Sequence, residues 1–218
     1  MRRLVRKVMN SINQISKLDP NKHYNYMYDC GHRFFSDYSN ELSRVMAESD
    51  WSGVLKLSQI LLRAKQEKSR VFLCGNGGSA ANAIHIANDL VYAVAEQTGA
   101  GVDAVALSAN PAILTCLGND VGYENIYSEQ LAVSGKEGDV LIVFSGSGNS
   151  INIINAIETA HKLKMQTVAV LGFDGGKCRN LVQLPIHFEI DDMQISEDIQ
   201  LTVGHMVMKW LKKEIAIS

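Results

Sequence analysis

The chain has 218 residues, of which 46% are hydrophobic and 20% are charged, a balance typical of a folded globular protein. Its 21 lysine and arginine residues against 23 aspartate and glutamate residues give a formal charge of −2, which argues against a nucleic-acid-binding surface. The longest apolar runs are far shorter than the roughly 18–20 residues that cross a bilayer, and the basic start lacks the apolar segment of a signal peptide.

Residues 1–67 are predicted to form a helical extension without strands. Two segments, 32–49 and 51–66, carry apolar residues three and four positions apart, the spacing of an amphipathic helix. Asp50 stands before the second segment in the position of an N-cap. Pro20 ends any helix before it, because proline restricts the preceding residue and has no amide hydrogen.

From residue 68 onward, short apolar strands alternate with helices. The predicted strands are residues 70–74, 103–107, 139–144, 167–172 and 184–190, and the predicted helices are 80–94, 151–163 and 194–216. Apolar strands separated by helices of ten or more residues favour a parallel sheet that is covered on both faces. We therefore predict an α/β domain over residues 68–218, a doubly wound parallel sheet flanked by helices, preceded by the extension 1–67.

Two loops rich in small residues follow predicted strands and open predicted helices. The first loop is residues 74–82 (CGNGGSAAN), and the second loop is residues 144–150 (FSGSGNS). Glycines let backbone amides approach an anion, serine hydroxyls donate hydrogen bonds, and a helix N-terminus adds unpaired N–H groups. Because such loops meet at one edge of a parallel sheet, they predict a phosphate site without lysine. Two tight turns capped by serine and asparagine are the alternative.

The first loop also fits the relaxed dinucleotide pattern Gly75-x-Gly77-x-x-Ala80. A dinucleotide-binding fold needs an acidic residue at the end of the second strand, about 20 residues later, to bind the ribose. The predicted second strand ends at Leu107, and Asp103 lies at its opposite end. A sugar phosphate is therefore the favoured ligand, and no nucleotide cofactor is expected.

Two predicted helices carry polar residues that share a face. His85 and Asp89 are four residues apart, so both can approach one metal ion or one substrate. On the last helix, Glu197 and His205 lie about two turns apart at 3.6 residues per turn, with Gln200 between them. An exposed ion pair on the first helix and a polar boundary stripe on the last are the alternatives that spacing leaves open.

Four cysteines, Cys30, Cys74, Cys116 and Cys178, stand far apart in the sequence, without a Cys-x-x-Cys pair. Structural zinc sites use close pairs of cysteines, and disulfide scaffolds are short and rich in cysteine. We therefore expect free thiols in a cytoplasmic protein.

The run VFLCGNGGSAANAIHIANDL (residues 71–90) resembles the phosphate-loop signature of the sugar isomerase (SIS) fold, and specifically the phosphoheptose isomerase family. Further matches lie at residues 118–120, 135–150, 172–177 and 198–200, so the resemblance spans roughly residues 30–215. It implies a flavodoxin-like sheet, a homotetramer and an isomerase of ketose and aldose phosphates. The expected pair is sedoheptulose 7-phosphate and D-glycero-D-manno-heptose 7-phosphate.

The resemblance also implies roles for single residues. The phosphate would be held by Ser145, Ser147 and Ser150. The sugar would contact Asn76, Gly77, Ser79, Asp120 and Gln200. Zinc is frequent in the family, and the positions that match its ligands are His85, Asp89, Gln200 and Met208.

Three positions depart from the family pattern. Asp89 stands where the family usually has a glutamate, Gly146 replaces a threonine, and Met208 replaces a histidine that serves as base or ligand. Methionine cannot transfer a proton. His205, one turn before Met208, is therefore expected to replace that histidine as base and as zinc ligand.

An aldose–ketose isomerase moves a proton between C1 and C2 through an enediolate, which requires a base, an acid and stabilisation of the developing charge. We expect Asp89 or Glu197 to take the carbon proton and His205 to serve the oxygens. His85, with zinc where present, would polarise the carbonyl. A sugar-phosphate-binding or protein-binding module without turnover, of the replication-initiator-associated type, is the alternative. An isomerase of another phosphosugar is a third interpretation.

Overall fold

A computed structural model describes the backbone of residues 20–217 and their side chains except at 20–26, 97–98 and 217. Contacts divide the chain into two compact units, residues 1–47 and residues 48–218. The predicted boundary after residue 67 therefore moves to 47/48. The reason is that helix α2 (Ser52–Glu67) packs against the last helix and the last strand of the second unit. Any helix before Pro20 lies outside the described residues.

Helix α1 (Pro20–Glu48) belongs to the first unit except for its last residue, Glu48. Its first residue is proline, which suits the start of a helix because the first N–H groups have no partner within the helix. The predicted segment 32–49 forms the second half of α1. Four large apolar side chains on this helix are between 60% and 71% exposed: Met27, Tyr28, Phe34 and Phe35.

The second unit is built on a sheet of five parallel strands in the order β2-β1-β3-β4-β5. The strands are β1 (Val71–Gly75), β2 (Ala104–Ala106), β3 (Val140–Ser145), β4 (Gln166–Leu171) and β5 (Leu184–His187). This order, with crossovers on both sides of β1, is the doubly wound flavodoxin-like topology that the sequence predicts. The prediction of an α/β fold with a helical N-terminal region is confirmed. Strand β5 ends at His187, three residues earlier than expected.

Helices cover both faces of the sheet. In chain order they are α3 (Gly78–Asn88), a π turn (Asp89–Ala93), α4 (Val94–Thr98), α5 (Pro111–Asp120), a 3₁₀ turn (Tyr123–Asn125), α6 (Ser128–Ser134), α7 (Ile151–Lys162), α8 (Cys178–Leu181) and α9 (Met193–Ile217). The predicted helix 80–94 is thus α3 followed by the π turn. Helices α5 and α6 were not predicted. Helix α5 has clear local signals, because Asn110 caps it through the N–H groups of Ala112 and Ile113, and Pro111 follows.

The core lies between the sheet and its helices. Every residue of β1 and β3 is buried, so these strands form the centre of the sheet. The N-cap of α2 is Trp51, one residue after the expected Asp50, and Asp50 accepts a hydrogen bond from the N–H of Ser52 at 2.9 Å. Within the described part of the chain, we find no helix with the length and apolar character needed to span a membrane.

Candidate active site

The first loop leaves β1 and enters α3 through three glycines. Gly77 has a φ of 55°, a conformation that side chains disfavour. A Cβ atom at Gly75 would lie 2.6 Å from the backbone oxygen of Ser79, so the turn has no room for a side chain there. A Cβ atom at Gly78 would lie 2.1 Å from a carboxylate oxygen of Glu197. The last helix thus brings Glu197 directly against the start of α3.

The second loop leaves β3 beside the first loop, since Gly75 and Phe144 are paired in neighbouring strands. The Ser145 hydroxyl oxygen accepts a hydrogen bond from the N–H of Gly148 at 3.0 Å, which leaves its O–H hydrogen for another partner. A Cβ atom at Gly146 would lie 2.6 Å from the sulfur of Met193. Met193 therefore occupies the space that a larger residue at position 146 would fill.

A cavity of about 80 Å³ lies where the two loops meet. Its walls are Asn76, Ser79, Phe144, Ser145, Gly146, Ser147, Ser150, Met193 and Glu197. These described walls include no lysine or arginine. Helices α3 and α7 both begin at this cavity, so their N-terminal N–H groups and dipoles favour an anion there. A phosphate at this place would be bound by hydroxyl groups, backbone amides and two helix N-termini.

Helices α3 and α9 run side by side away from this cavity. A Cβ atom at Gly204 would lie 2.4 Å from Cγ1 of Ile86, so the Ile86 side chain packs directly onto the backbone of α9 at this glycine. This contact sets the neighbouring residues, His85 on α3 and His205 on α9, opposite each other.

His85, Asp89 and His205 form a cluster at the far end of this contact. The Nε2 atoms of the two histidines are 3.0 Å apart, and the nearer Asp89 oxygen lies 3.5 Å from His85 Nε2 and 3.7 Å from His205 Nε2. Two ligand atoms at about 2.0–2.2 Å from one tetrahedral zinc ion are about 3.3 Å apart. The three atoms therefore have the chemistry and the spacing of a zinc site.

A π turn begins at Asp89, directly after α3. Such a turn lacks the regular hydrogen bonds of an α-helix and is frequent at functional sites. The carbonyl of Leu90 accepts a bond from the N–H of Val102 at 2.9 Å, so the segment before β2 holds the turn in place. Asp89 is the least exposed member of the cluster, with 15% of its side chain accessible, against 49% and 43% for the histidines.

Two amide side chains lie between the cavity and the cluster. Asn82 donates to the backbone oxygen of Glu197 at 2.8 Å and to Oε1 of Gln200 at 3.2 Å. Gln200 is 1% exposed, and its Nε2 atom has no hydrogen-bond partner among the described residues. A buried donor without a partner is costly, so a ligand oxygen that reached this N–H group would be stabilised. An N–H group cannot bind a cation, so this rotamer suits the substrate role expected of Gln200.

We call the residues along this contact the polar row: Ser79 and Glu197 at the cavity, Asn82 and Gln200 in the middle, and His85, Asp89 and His205 at the far end. The structure thus separates the predicted catalytic residues. Asp89 and His205 lie together, whereas Glu197 lines the cavity. Asp120 does not line the cavity; it accepts bonds from Asn119 and Cys116, which lower the pKa of its carboxyl group.

Several residues at the site were not singled out from the sequence. Asn82, Asn152, Tyr123 and Met193 all contact or border predicted site residues. Asn82 could have been found from the sequence, because it lies three residues before His85 and therefore on the same face of the helix. Asn152 and Tyr123 carry no signal in the sequence, because their contact with Asn76 joins segments about fifty or more residues apart.

Comparison with known proteins gives one consistent result. A family model described as SIS domain matches residues 33–172, which include both loops and strands β1 to β4. A phosphoheptose isomerase of Clostridium acetobutylicum is 38% identical over 162 residues, 74% of this chain and 82% of that protein. The structure of a phosphoheptose isomerase from Neisseria gonorrhoeae has a TM-score of 0.77 at 28% identity and covers 84% of this chain and 98% of its own. One from Francisella tularensis has a TM-score of 0.79 at 25% identity, with 85% and 98% covered.

Proposed function

Because the chain belongs to the phosphoheptose isomerase family of SIS-domain proteins, we propose that it interconverts sedoheptulose 7-phosphate and D-glycero-D-manno-heptose 7-phosphate. In chemical terms it is an aldose–ketose isomerase of phosphorylated sugars.

The polar row is the observation that carries the proposal. Ser79 and His85 are six positions apart, so the cavity and the cluster are about 9 Å apart along α3 at 1.5 Å per residue. Six carbon–carbon bonds of about 1.5 Å give an extended seven-carbon chain a length of roughly 8 Å. A sugar whose phosphate enters the cavity would therefore bring C1 and C2 to the cluster. Its hydroxyl groups would pass Asn82 and the unpaired N–H of Gln200.

This arrangement favours Asp89 as the base. In the direction from ketose to aldose, Asp89 removes a proton from C1 and returns it to C2 through a carboxylate oxygen that does not hold the metal. His205 carries a proton from O1 to O2 only while its Nε2 is free of zinc. Glu197 lies at the phosphate end of the row, so we assign it to a sugar hydroxyl instead of the reacting carbons. The phosphate is assigned to Ser145, Ser147 and Ser150, and the sugar contacts to Asn76, Gly77, Ser79 and Gln200. Asp120, which lies outside the cavity, keeps only the sugar contact that the family resemblance implies.

Zinc is the proposed cofactor, with His85, Asp89 and His205 as ligands. Gln200, which the family pattern also assigns, could join them only with its amide turned over, because its Oε1 accepts from Asn82 in this structure. When bound, zinc would polarise the substrate oxygens and stabilise the enediolate. Met208 stands in the family's histidine position, and the close approach at Gly204 supports His205 as its replacement.

The alternative of a binding module without turnover is not favoured. The main reason for that alternative is that Met208 cannot transfer a proton. His205 can take over this role, because its Nε2 atom lies 3.0 Å from that of His85. We further propose a cytoplasmic homotetramer. All four cysteines are free, and α1 carries an exposed apolar face that a second copy would cover.

The decisive experiment supplies purified, zinc-loaded protein with sedoheptulose 7-phosphate and follows the aldose product by NMR. Asp89→Asn is expected to lower kcat by at least about 10³-fold while phosphate binding stays intact, because the variant keeps the shape but not the base. Absence of turnover by the parent protein would overturn the assignment of the substrate. Full activity of Asp89→Asn would remove Asp89 from the mechanism. Fructose 6-phosphate and arabinose 5-phosphate, tested in parallel, distinguish an isomerase of a shorter sugar.

A further inference from the structure

The side chains of Asn76 and Asn152 form a reciprocal pair of hydrogen bonds across the two loops. Nδ2 of Asn76 donates to Oδ1 of Asn152, and Nδ2 of Asn152 donates to Oδ1 of Asn76, each at 2.9 Å. Asn152 lies in the first turn of α7, two residues after Ser150, and is 1% exposed. The pair therefore ties the first loop to the helix that the second loop opens.

A tyrosine holds the same amide from the other side. Tyr123, in the 3₁₀ turn after α5, donates its hydroxyl hydrogen to Oδ1 of Asn76 at 3.1 Å. The carbonyl oxygen of Asn76 thus has two donors, which is its full capacity, while its NH2 group has used one hydrogen of two. The remaining N–H belongs to a side chain that lines the cavity.

We infer that Asn152 is a positioning residue, which acts on the sugar phosphate through Asn76 and without touching it. This inference rests on the proposed function, because it assumes that Asn76 contacts the sugar. A lone asparagine at the mouth of a loop can rotate about two side-chain bonds, and each rotation moves its N–H away from the ligand. The buried partner removes this freedom before the ligand arrives, so binding does not have to supply the ordering. Tyr123 makes the same contribution from the solvent side, to a smaller extent.

The inference separates two parts of the ligand. The phosphate group is assigned to serines of the second loop, so inorganic phosphate does not need Asn76. The sugar does need it. Loss of Asn152 should therefore weaken binding of a sugar phosphate and leave inorganic phosphate unaffected, whereas damage to the cavity as a whole would weaken both.

The test measures dissociation constants by calorimetry for sedoheptulose 7-phosphate and for inorganic phosphate, with kcat and KM beside them. Asn152→Ala and Asn76→Ala are each expected to raise Kd for the sugar phosphate about tenfold, the effect of one well-placed hydrogen bond. Kd for inorganic phosphate should change less than about twofold. The double variant should bind no more weakly than Asn76→Ala alone, because Asn152 acts through Asn76.

Asn155→Ala is the matched control. Asn155 lies on the same helix and donates to the backbone oxygen of Glu124 at 2.9 Å and to Asn125, so it ties α7 to the same turn without reaching Asn76. It is expected to leave both dissociation constants unchanged. Where Asn152→Ala does not fold, Asn152→Ser and the surface variant Tyr123→Phe replace it. Tyr123→Phe should raise Kd for the sugar phosphate about two- to threefold.

Each outcome decides something. The inference is overturned if folded Asn152 variants bind the sugar phosphate with unchanged Kd. It is also overturned if the increases in Kd of the two single variants multiply in the double variant. Neither result affects the isomerase assignment. Equal weakening of sugar phosphate and inorganic phosphate also overturns the inference, because Asn152 would then support the whole cavity. If the parent protein binds the sugar phosphate without turnover, the proposed reaction is refuted. The inference is still supported if Asn152→Ala then weakens binding of the sugar phosphate and leaves binding of inorganic phosphate unchanged.

Discussion

Gly204 offers the sharpest test of how the active site is assembled. It lies inside α9, where the backbone meets Ile86 of α3, and a Cβ atom there would be 2.4 Å from Cγ1 of Ile86. Ordinary contact begins at 3.4 Å, so Gly204→Ala requires the two helices, or the buried Ile86 side chain, to move by about 1 Å. The residues next to this contact are His85 and His205.

Two effects of opposite sign act on the stability of Gly204→Ala. Alanine is preferred over glycine inside a helix by about 1 kcal/mol, whereas overpacking a buried contact costs about 1–3 kcal/mol. The net loss is therefore at most about 2 kcal/mol, and the variant should fold. Activity is more sensitive, because a displacement of about 1 Å at reacting groups can cost on the order of 10²-fold in rate.

The assay combines kcat/KM for sedoheptulose 7-phosphate with urea unfolding. Gly118→Ala is the control for stability, because Gly118 lies in α5 with no atom within 4 Å of its hypothetical Cβ. It should stabilise the protein by about 0.5–1 kcal/mol. Adding Ile86→Ala to Gly204→Ala makes room for the new methyl group and should restore part of the activity at a further cost in stability. A Gly204→Ala protein with full activity and raised stability would show that the close approach of the helices does not set the histidine pair.

Three further predictions concern the metal, the thiols and the assembly. His85→Ala and His205→Ala should each lose the stoichiometric zinc that the parent protein keeps after dialysis, as measured by mass spectrometry of the metal. Met208→Ala should retain the zinc. Zinc retained in His205→Ala would refute the ligand assignment. Burial raises the pKa of Cys178 to about 11 and that of Cys74 further, so at pH 8 only the exposed Cys30 and Cys116 should react quickly with Ellman's reagent. The hydrogen bond to Asp120 also raises the pKa of Cys116, so Asp120→Asn should increase the thiolate fraction and the rate at Cys116, and an unchanged rate would contradict this. Finally, the double variant Phe34→Ser, Phe35→Ser should dissociate the proposed tetramer in light scattering, while Val133→Ser, at an exposed apolar residue of α6, should leave the assembly of the parent protein intact. An unchanged assembly in the first variant would exclude α1 from the interface.

Much of the fold follows from local patterns. The buried strands β1 and β3 are continuous apolar runs, and such runs between helices form a parallel sheet whatever the tertiary details. The helices α5 and α6 were not predicted, because α5 has no buried residue and α6 is only seven residues long, so neither has a strong apolar period. The boundary of the helical extension was misplaced for a similar reason. The amphipathic pattern of α2 does not reveal that its apolar face belongs to the sheet unit.

By itself, the sequence determined that two glycine-rich loops open helices at one edge of a parallel sheet, and that His85 and Asp89 share a helix face. Both follow from periodicities of the backbone, which act over a few residues. Only the tertiary structure decided that His205, and not Met208 in the family position, meets His85, and that Asn152 holds Asn76 from 76 residues away. Helical spacing states which residues share a face. Which residues meet across two helices depends on how closely the helices approach, and here a glycine at 204 opposite Ile86 sets that distance.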